Sequence, residues 1–331
     1  MGEQGKDGEF ELIARYFAPL AAAEEGAFAL GDDAAVLAME PGRRLVVTTD
    51  TLIESVHFTA DTPPEAIAAK LLRVNLSDLA AMGARPRAYT LSAALGEEID
   101  GPWLEGFAAA LAREQETFSI TLVGGDTTAT PGPLALTLCA LGDVPEGREL
   151  RRSGARPGDA VFVSGSIGDA ALGLKALLGE LAGLGAGERD MLIGRYHLPQ
   201  PRLELGQCLR GLANAAADVS DGLVADLGHI CATSRTGAAI EAARVPLSAA
   251  ARAAIAADES LIGAALTGGD DYELVFAVPG GAAGEVALLG TRLDLPLTEI
   301  GRITDEEGEG VRVLDRKGNV IPLGAGGYRH F

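Results

Sequence analysis

The chain has 331 residues, 47% of them hydrophobic and 22% charged, and carries 47 acids against 27 bases for a formal net charge of −20. That length suggests two domains, and that composition supports a packed core rather than disorder. A surface this acidic argues against nucleic acid or an anionic membrane as a partner.

Three cysteines, Cys139, Cys208 and Cys231, form no CxxC, which argues against a zinc site and reads as reduced, cytosolic thiols. The N-terminus "MGEQGKDGEF" has no apolar signal segment, and Lys6 breaks a myristoylation motif at Gly2. No stretch reaches the roughly 18 uninterrupted apolar residues of a membrane helix. The expectation is a soluble, cytoplasmic protein.

In chain order, Phe10, Ile13, Ala14 and Phe17 at helical spacing predict a helix over 9–17. "RLVVTTD" (44–50) is a strand by its β-branched run. A helix over 63–84 opens on prolines and stops at Gly83. A strand near 88–95, a helix near 102–116 and strands at 119–125 and 134–142 follow. The Gly-, Pro- and charge-rich segment 144–159 reads as the domain junction, which divides the chain into 1–147 and 148–331. Beyond it, a strand at 160–165 leads into helices near 168–179, 202–213, 222–234 and 281–290. These alternate with strands near 215–219, 237–241, 273–278, 297–303 and 311–315, while "GELAGLGAGE" (179–188) looks like a loose loop. Both halves mix strands and helices, so the class is α/β or α+β.

The acids fall at telling places. "LGDDAAVL" (30–37) sets Asp32 beside Asp33 between apolar residues. Two unit charges about 4 Å apart repel by roughly 4 kcal/mol at an effective dielectric near 20, so a partner is required. On strand 44–50, Val46, Thr48 and Asp50 share a face, placing hydroxyl and carboxylate together toward the strand's end. On helix 63–84, Ile67, Leu71, Val74, Asp78 and Met82 share a face, and Leu72, Leu76 and Leu79 make the rest apolar too. A carboxylate inside such a helix calls for a cation, either a metal or an arginine. "LVGGDTT" sets Asp126 behind two glycines that admit a ligand to the backbone. "AADVSDGL" (216–223) carries Asp218, Ser220 and Asp221, the last two in a pattern that also suits helix capping. "TGGDDYELVF" (267–276) adds Asp270 and Asp271 at a glycine turn. Oxygen donors of this kind suit Mg²⁺. For anions there is no GxxxxGK[ST] motif. "VSGSIGD" (163–169) serves either as an anion loop or as plain turn chemistry, and Arg151, Arg152 and Arg156 supply positive charge.

Eight segments in order, "GDDAAV", "TTDTLIESVHF", "NLSDLAAMGA", "GGDTT", "RRSGARPGD", "DVSDGL", "GGDDYELVF" and "GGYRHF", resemble the thiamine-monophosphate kinase family. That family belongs to the aminoimidazole ribonucleotide synthetase-like superfamily, and the resemblance covers nearly the whole chain. It implies an N-terminal α/β domain whose strands form half of a β-barrel completed by a second subunit. It also implies a C-terminal α+β domain, an ATP site between the two, and a homodimer. Position by position, Asp33, Thr48, Thr49, Asp50, Asp78, Asp126, Asp218 and Asp221 match magnesium-binding positions. Gly125, Asp126, Arg152 and Ser220 match ATP contacts, and His57, Asp270 and Tyr328 match contacts to thiamine monophosphate. The family often reads GGED where this chain has Asp270, one methylene shorter.

The implied reaction passes the γ-phosphoryl of ATP in line to thiamine monophosphate, giving thiamine diphosphate, with several Mg²⁺ ions offsetting charge. The acceptor phosphate is already ionised near neutrality, its second pKa being about 6, so no general base is needed. Two alternatives stand beside this reading. One is another ATP-dependent synthetase of the superfamily, disfavoured because the first cysteine is Cys139 and by "TTDTLIESVHF" and "GGYRHF". The other is a non-enzymatic acidic metal-binding protein, disfavoured because no EF-hand spacing occurs.

Overall fold

A computed structural model describes residues 8–181 and 183–323. Its contacts divide these residues into two compact units, one of residues 8–79 and 85–146, the other of 80–84 and 147–323.

The first unit opens with α1 (Glu9–Leu12), whose path continues as a wider turn over Ile13–Phe17 and then as tighter 3₁₀ turns. The single helix expected over 9–17 is therefore broken, and Pro19 starts the tighter stretch. Then come β1 (Arg43–Ile53), α2 (Pro64–Ala81), β2 (Arg85–Leu95), α3 (Gly101–Phe118), β3 (Thr121–Ala129) and β4 (Ala135–Pro145). The four strands pair in the order β1-β4-β2-β3 and, among the described residues, do not close into a barrel. Every contact is antiparallel except β2 with β3. On β1, exposure alternates as the sequence predicts, with Val46, Thr48 and Asp50 on the covered face and Leu45, Val47 and Thr49 outward.

Helix α2 is buried nearly all round, with Leu71, Leu72, Leu76, Leu79, Asn75 and Ser77 each inaccessible. Its Arg73 forks onto Glu114 of α3 through Nε at 2.7 Å and Nη2 at 3.0 Å. At one end of the sheet the buried Asp143 accepts from Arg43, Arg85 and Arg87. Burial pushes its carboxyl up, but these three guanidinium groups bring it below the usual value.

The second unit runs β5 (Ala160–Ser164), α4 (Asp169–Leu177), α5 (Ala186–His197), α6 (Leu203–Leu209), β6 (Ala215–Asp218) and α7 (Leu223–Ser234). It continues with β7 (Gly237–Glu241), α8 (Ala249–Ala257), α9 (Leu261–Thr267), β8 (Leu274–Val278), α10 (Ala283–Leu293), β9 (Leu297–Thr304) and β10 (Val311–Leu314). The sheet order is β10-β7-β9-β5-β8-β6. Central strands β5 (AVFVS) and β8 (LVFAV) are buried at every position, as near-continuous apolar runs covered on both faces should be. One face packs Val161, Val163, Val275 and Ala277 with Leu223, Leu227 and Ile230 of α7. The other packs Phe162 and Phe276, stacked with ring centroids 5.8 Å apart, with Leu205 and Leu209 of α6 and Val286 and Leu289 of α10. No helix among the described residues is long and apolar enough to cross a membrane.

Candidate active site

In the first unit, α2 brings Asp78 up against β1. The Thr48 hydroxyl donates to Asp78 Oδ2 at 2.5 Å, and Asp50 is close enough to bond the same carboxyl. Burial first, and the charge of Asp78 second, push the Asp50 carboxyl up to about 6. Arg73 of the same helix is engaged with Glu114 of α3. Two carboxyl groups and a hydroxyl, half-buried and converging, are hard oxygen donors in the pattern that Mg²⁺ takes. Asn75, inaccessible on α2, fixes the geometry. Its Oδ1 accepts the backbone N–H of Asp50 at 3.1 Å while its Nδ2 donates to Leu71 O at 3.0 Å. Nothing in the sequence reading singled Asn75 out.

Both strands run further than their glycines and turn residues suggest. Asp50 lies inside β1, which continues to Ile53, and Asp126 lies inside β3, so neither stands at a strand end. β3 passes through Gly124 and Gly125 because β2 runs close against it. A Cβ on Gly125 would meet Leu91 O at 1.9 Å. The register pairs Asp126 with Ser92, Ser92 with Thr137, and Thr137 with Thr51. Asp126 therefore shares the open face with Thr51 and Thr49, opposite to Thr48 and Asp50. The Thr49 hydroxyl donates to Leu138 O at 3.0 Å and does not join the Asp50–Asp78 pair. Asp32 and Asp33, both exposed, line with Gly125 and Asp126 a cavity of about 120 Å³ whose floor includes Phe17, Leu91 and Leu122. His57, in the turn after β1, accepts the Ile53 N–H on Nδ1 at 3.0 Å, which leaves the ring proton of the neutral form on Nε2.

In the second unit, the loop after β6 and the loop before β8 are laced together. Asp270 N donates to Ser220 O and Tyr272 N to Val219 O, each at 2.8 Å. A Cβ on Gly269 would meet Ser220 O at 2.2 Å. Ser220, Asp221 and Asp270 are thus brought to one place, with Asp218 buried at the end of β6. The capping expected of Ser220 or Asp221 belongs to another residue. Gly222 begins α7 with no side-chain cap of its own. The Oδ2 of Asp226 reaches back to accept from Asp221 N and Gly222 N, both at 3.0 Å. Burial, then the Asp221 charge, push the Asp226 carboxyl up to about 7, against those two bonds and the positive charge of Arg152. Asp226 and His229 offer ligand atoms within 4.8 Å of one from Asp221. Arg152 thus lies close to this acidic group.

The anion loop at 163–169 resolves as turn chemistry. The α4 N-terminus is filled by the protein's own Asp271, whose carboxylate accepts from Gly168 N at 2.6 Å and Ala170 N at 3.1 Å. Asp271 is therefore a structural acid, unlike its half-buried neighbour Asp270; burial first, and the charge of Asp270 second, keep the Tyr196 hydroxyl protonated. Tyr328 lies outside the described residues.

A four-stranded sheet and a separate six-stranded sheet, with acids gathered on β1, α2, β3 and the loops after β6 and before β8, define a class. Residues 31–144 match the AIR synthase related protein N-terminal domain, and residues 156–314 match its C-terminal domain. A thiamine-monophosphate kinase of Escherichia coli strain K12 is 44% identical over 98% of both chains. The crystal structure of thiamine-monophosphate kinase from Stenotrophomonas maltophilia K279a superposes with a TM-score of 0.84 at 42% identity, covering 95% of this chain and 98% of that one. AaThiL complexed with AMPPCP and TMP superposes at 0.76 with 34% identity, over 98% of this chain and 97% of that one. The chain belongs to the thiamine-monophosphate kinase family.

Proposed function

We propose that this chain transfers the γ-phosphoryl of ATP directly to thiamine monophosphate, giving ADP and thiamine diphosphate. The observation that carries the reading is the Asp50–Asp78 pair, two half-buried carboxyl groups crowded together in a chain of this family. Above about pH 6, where Asp50 gives up its proton, such a pair is eased by a cation beside it. The solved relative complexed with AMPPCP and TMP supports ATP and thiamine monophosphate as the two substrates.

In this reading Asp33, Thr48, Thr49, Asp50, Asp78, Asp126, Asp218 and Asp221 hold Mg²⁺. Bound there, Mg²⁺ supplies a positive charge that offsets the charge moving between phosphates. Gly125 and Asp126, which line the cavity beside Asp32 and Asp33, meet the nucleotide. Ser220 and Arg152 add a hydroxyl and a guanidinium, the latter suited to a phosphate by its planar fork. His57 presents Nε2–H to the acceptor phosphate, and Asp270 offers negative charge to the cationic thiazolium, with Tyr328 as a stacking surface. The acceptor oxygen is already ionised at neutral pH, so no side chain has to remove a proton.

We further propose a homodimer. Leu45 and Val47 are 51% and 55% exposed on the outer face of edge strand β1, an apolar edge that a second copy would cover. The three free cysteines support a cytoplasmic enzyme. Incubating the protein with Mg-ATP and thiamine monophosphate, then separating the products, tests the reading. ADP and thiamine diphosphate in equal amounts are expected; ADP with only inorganic phosphate would refute it.

A further inference from the structure

The second unit contains a buried ionic cluster that phosphoryl transfer does not use. Glu273 is inaccessible, and its two carboxylate oxygens collect donors from three residues. Arg202 gives Nε to Oε2 at 2.6 Å and Nη2 to Oε1, and Ser164 gives its hydroxyl to Oε2 at 2.6 Å. Those two residues already neutralise and satisfy the carboxylate. Arg195 of α5 nevertheless adds Nη2 to Oε1 at 2.9 Å. Its Nη2 also reaches loop backbone, 3.5 Å from Asp271 O. The guanidinium thus straddles Tyr272, gripping the residue on either side.

That grip falls on strained backbone. Asp270 and Tyr272 take φ of 72° and 51°, a left-handed region that residues other than glycine avoid. Such a conformation persists only where the surroundings dictate it. On one side the backbone bonds to Ser220 O and Val219 O hold the segment; within it, Asp271 is anchored in the α4 N-terminus. Arg195 supplies the remaining side. Both bonds leave the same Nη2 while Nε lies 4.0 Å from Asp169 Oδ2, so the flat guanidinium spreads its charge over two acids that a lysine's point charge would not meet together.

We propose that Arg195 is a positioning residue for the acceptor loop: by bridging Asp271 O and Glu273 it holds the backbone turn that sets Asp270 for thiamine monophosphate. The inference rests on the reading of Asp270 as an acceptor contact. Steady-state kinetics of the full-length protein test both, using Arg195→Met, Arg195→Lys, Asp270→Ala and the Arg195→Met/Asp270→Ala double variant, with melting temperatures alongside. Arg195→Met should raise KM for thiamine monophosphate about 10-fold and leave KM for ATP within about 2-fold, with Arg195→Lys between it and wild type. In the Asp270→Ala background the Arg195→Met increment should vanish, because the arginine acts through Asp270. Arg202→Met, which removes a Glu273 partner but no bond to loop backbone, should lower the melting temperature without moving KM for thiamine monophosphate. Equal rises in both KM values, or an undiminished increment in the double variant, would overturn the positioning role. An Asp270→Ala variant with unchanged KM would instead overturn the acceptor reading of Asp270, and this proposal with it. If Arg195→Met does not fold, Arg195→Lys, which keeps the charge and loses the flat guanidinium, carries the same comparisons.

Discussion

Two carboxyl groups within hydrogen-bonding reach titrate as one system, and in Asp50 and Asp78 that system is half-buried. The folded Asp50 value near 6 stands above its ordinary value of 3.8, so folding favours the protonated form. The resulting stability is fully present below about pH 4 and is lost as pH rises through 6. Chemical denaturation in EDTA between pH 4.5 and 7.5 should therefore show a fall in stability that Asp78→Asn makes shallower. A slope identical in the two proteins would place the two groups apart. With Mg²⁺ present, Asp78→Asn should cut turnover by about 100-fold or more, the scale of losing several kcal/mol of charge stabilisation. Near-native turnover at saturating Mg²⁺ would remove Asp78 from the metal set. Asp78 was legible in the sequence because a single acid interrupts an apolar helix face. Asn75, Asp226 and Asp271 were not, because their roles lie in hydrogen bonds to backbone that only the fold brings near.

At the scale of elements, the strands were the most legible, since β5 and β8 are short apolar runs bounded by turn residues. Helices α5, α8 and α9 were missed. α5 starts inside a glycine-rich stretch, and α8, AAARAAIAA, carries so little bulk that no apolar stripe stands out, although Ser248 caps its start. The strands expected at 44–50 and 119–125 end short of β1 and β3, which continue as paired strand past polar Thr51 and Asp126 to Ile53 and Ala129. In β3 the glycines permit close pairing with β2. The same kind of close approach sets a prediction for the two laced loops. Gly269→Ala drives a methyl group into Ser220 O, so it should lower stability by about 1–3 kcal/mol and weaken both substrates together. Thermal melts and paired KM measurements check it, and a silent substitution would mean the loops part easily.

For the whole molecule, the net charge of −20 sets the terms on which a nucleotide can approach. Its carboxylates repel a triphosphate by several kcal/mol per close pair when no cation intervenes. Calorimetric titration with ATP in EDTA should therefore give weak binding that Mg²⁺ restores, and tight metal-free binding would turn the acids away from the nucleotide. Val47→Asp, placing a charge on the exposed apolar edge of β1, should shift sedimentation from dimer to monomer. An unchanged mass would move the interface elsewhere. The proposed transfer is direct and metal-assisted, with no phosphorylated side chain on the way. Its most direct measurement is the configuration at phosphorus after transfer from ATP chiral at the γ-position to thiamine monophosphate. A single in-line displacement predicts inverted configuration in thiamine diphosphate; retained configuration would require a phosphoenzyme and would contradict it.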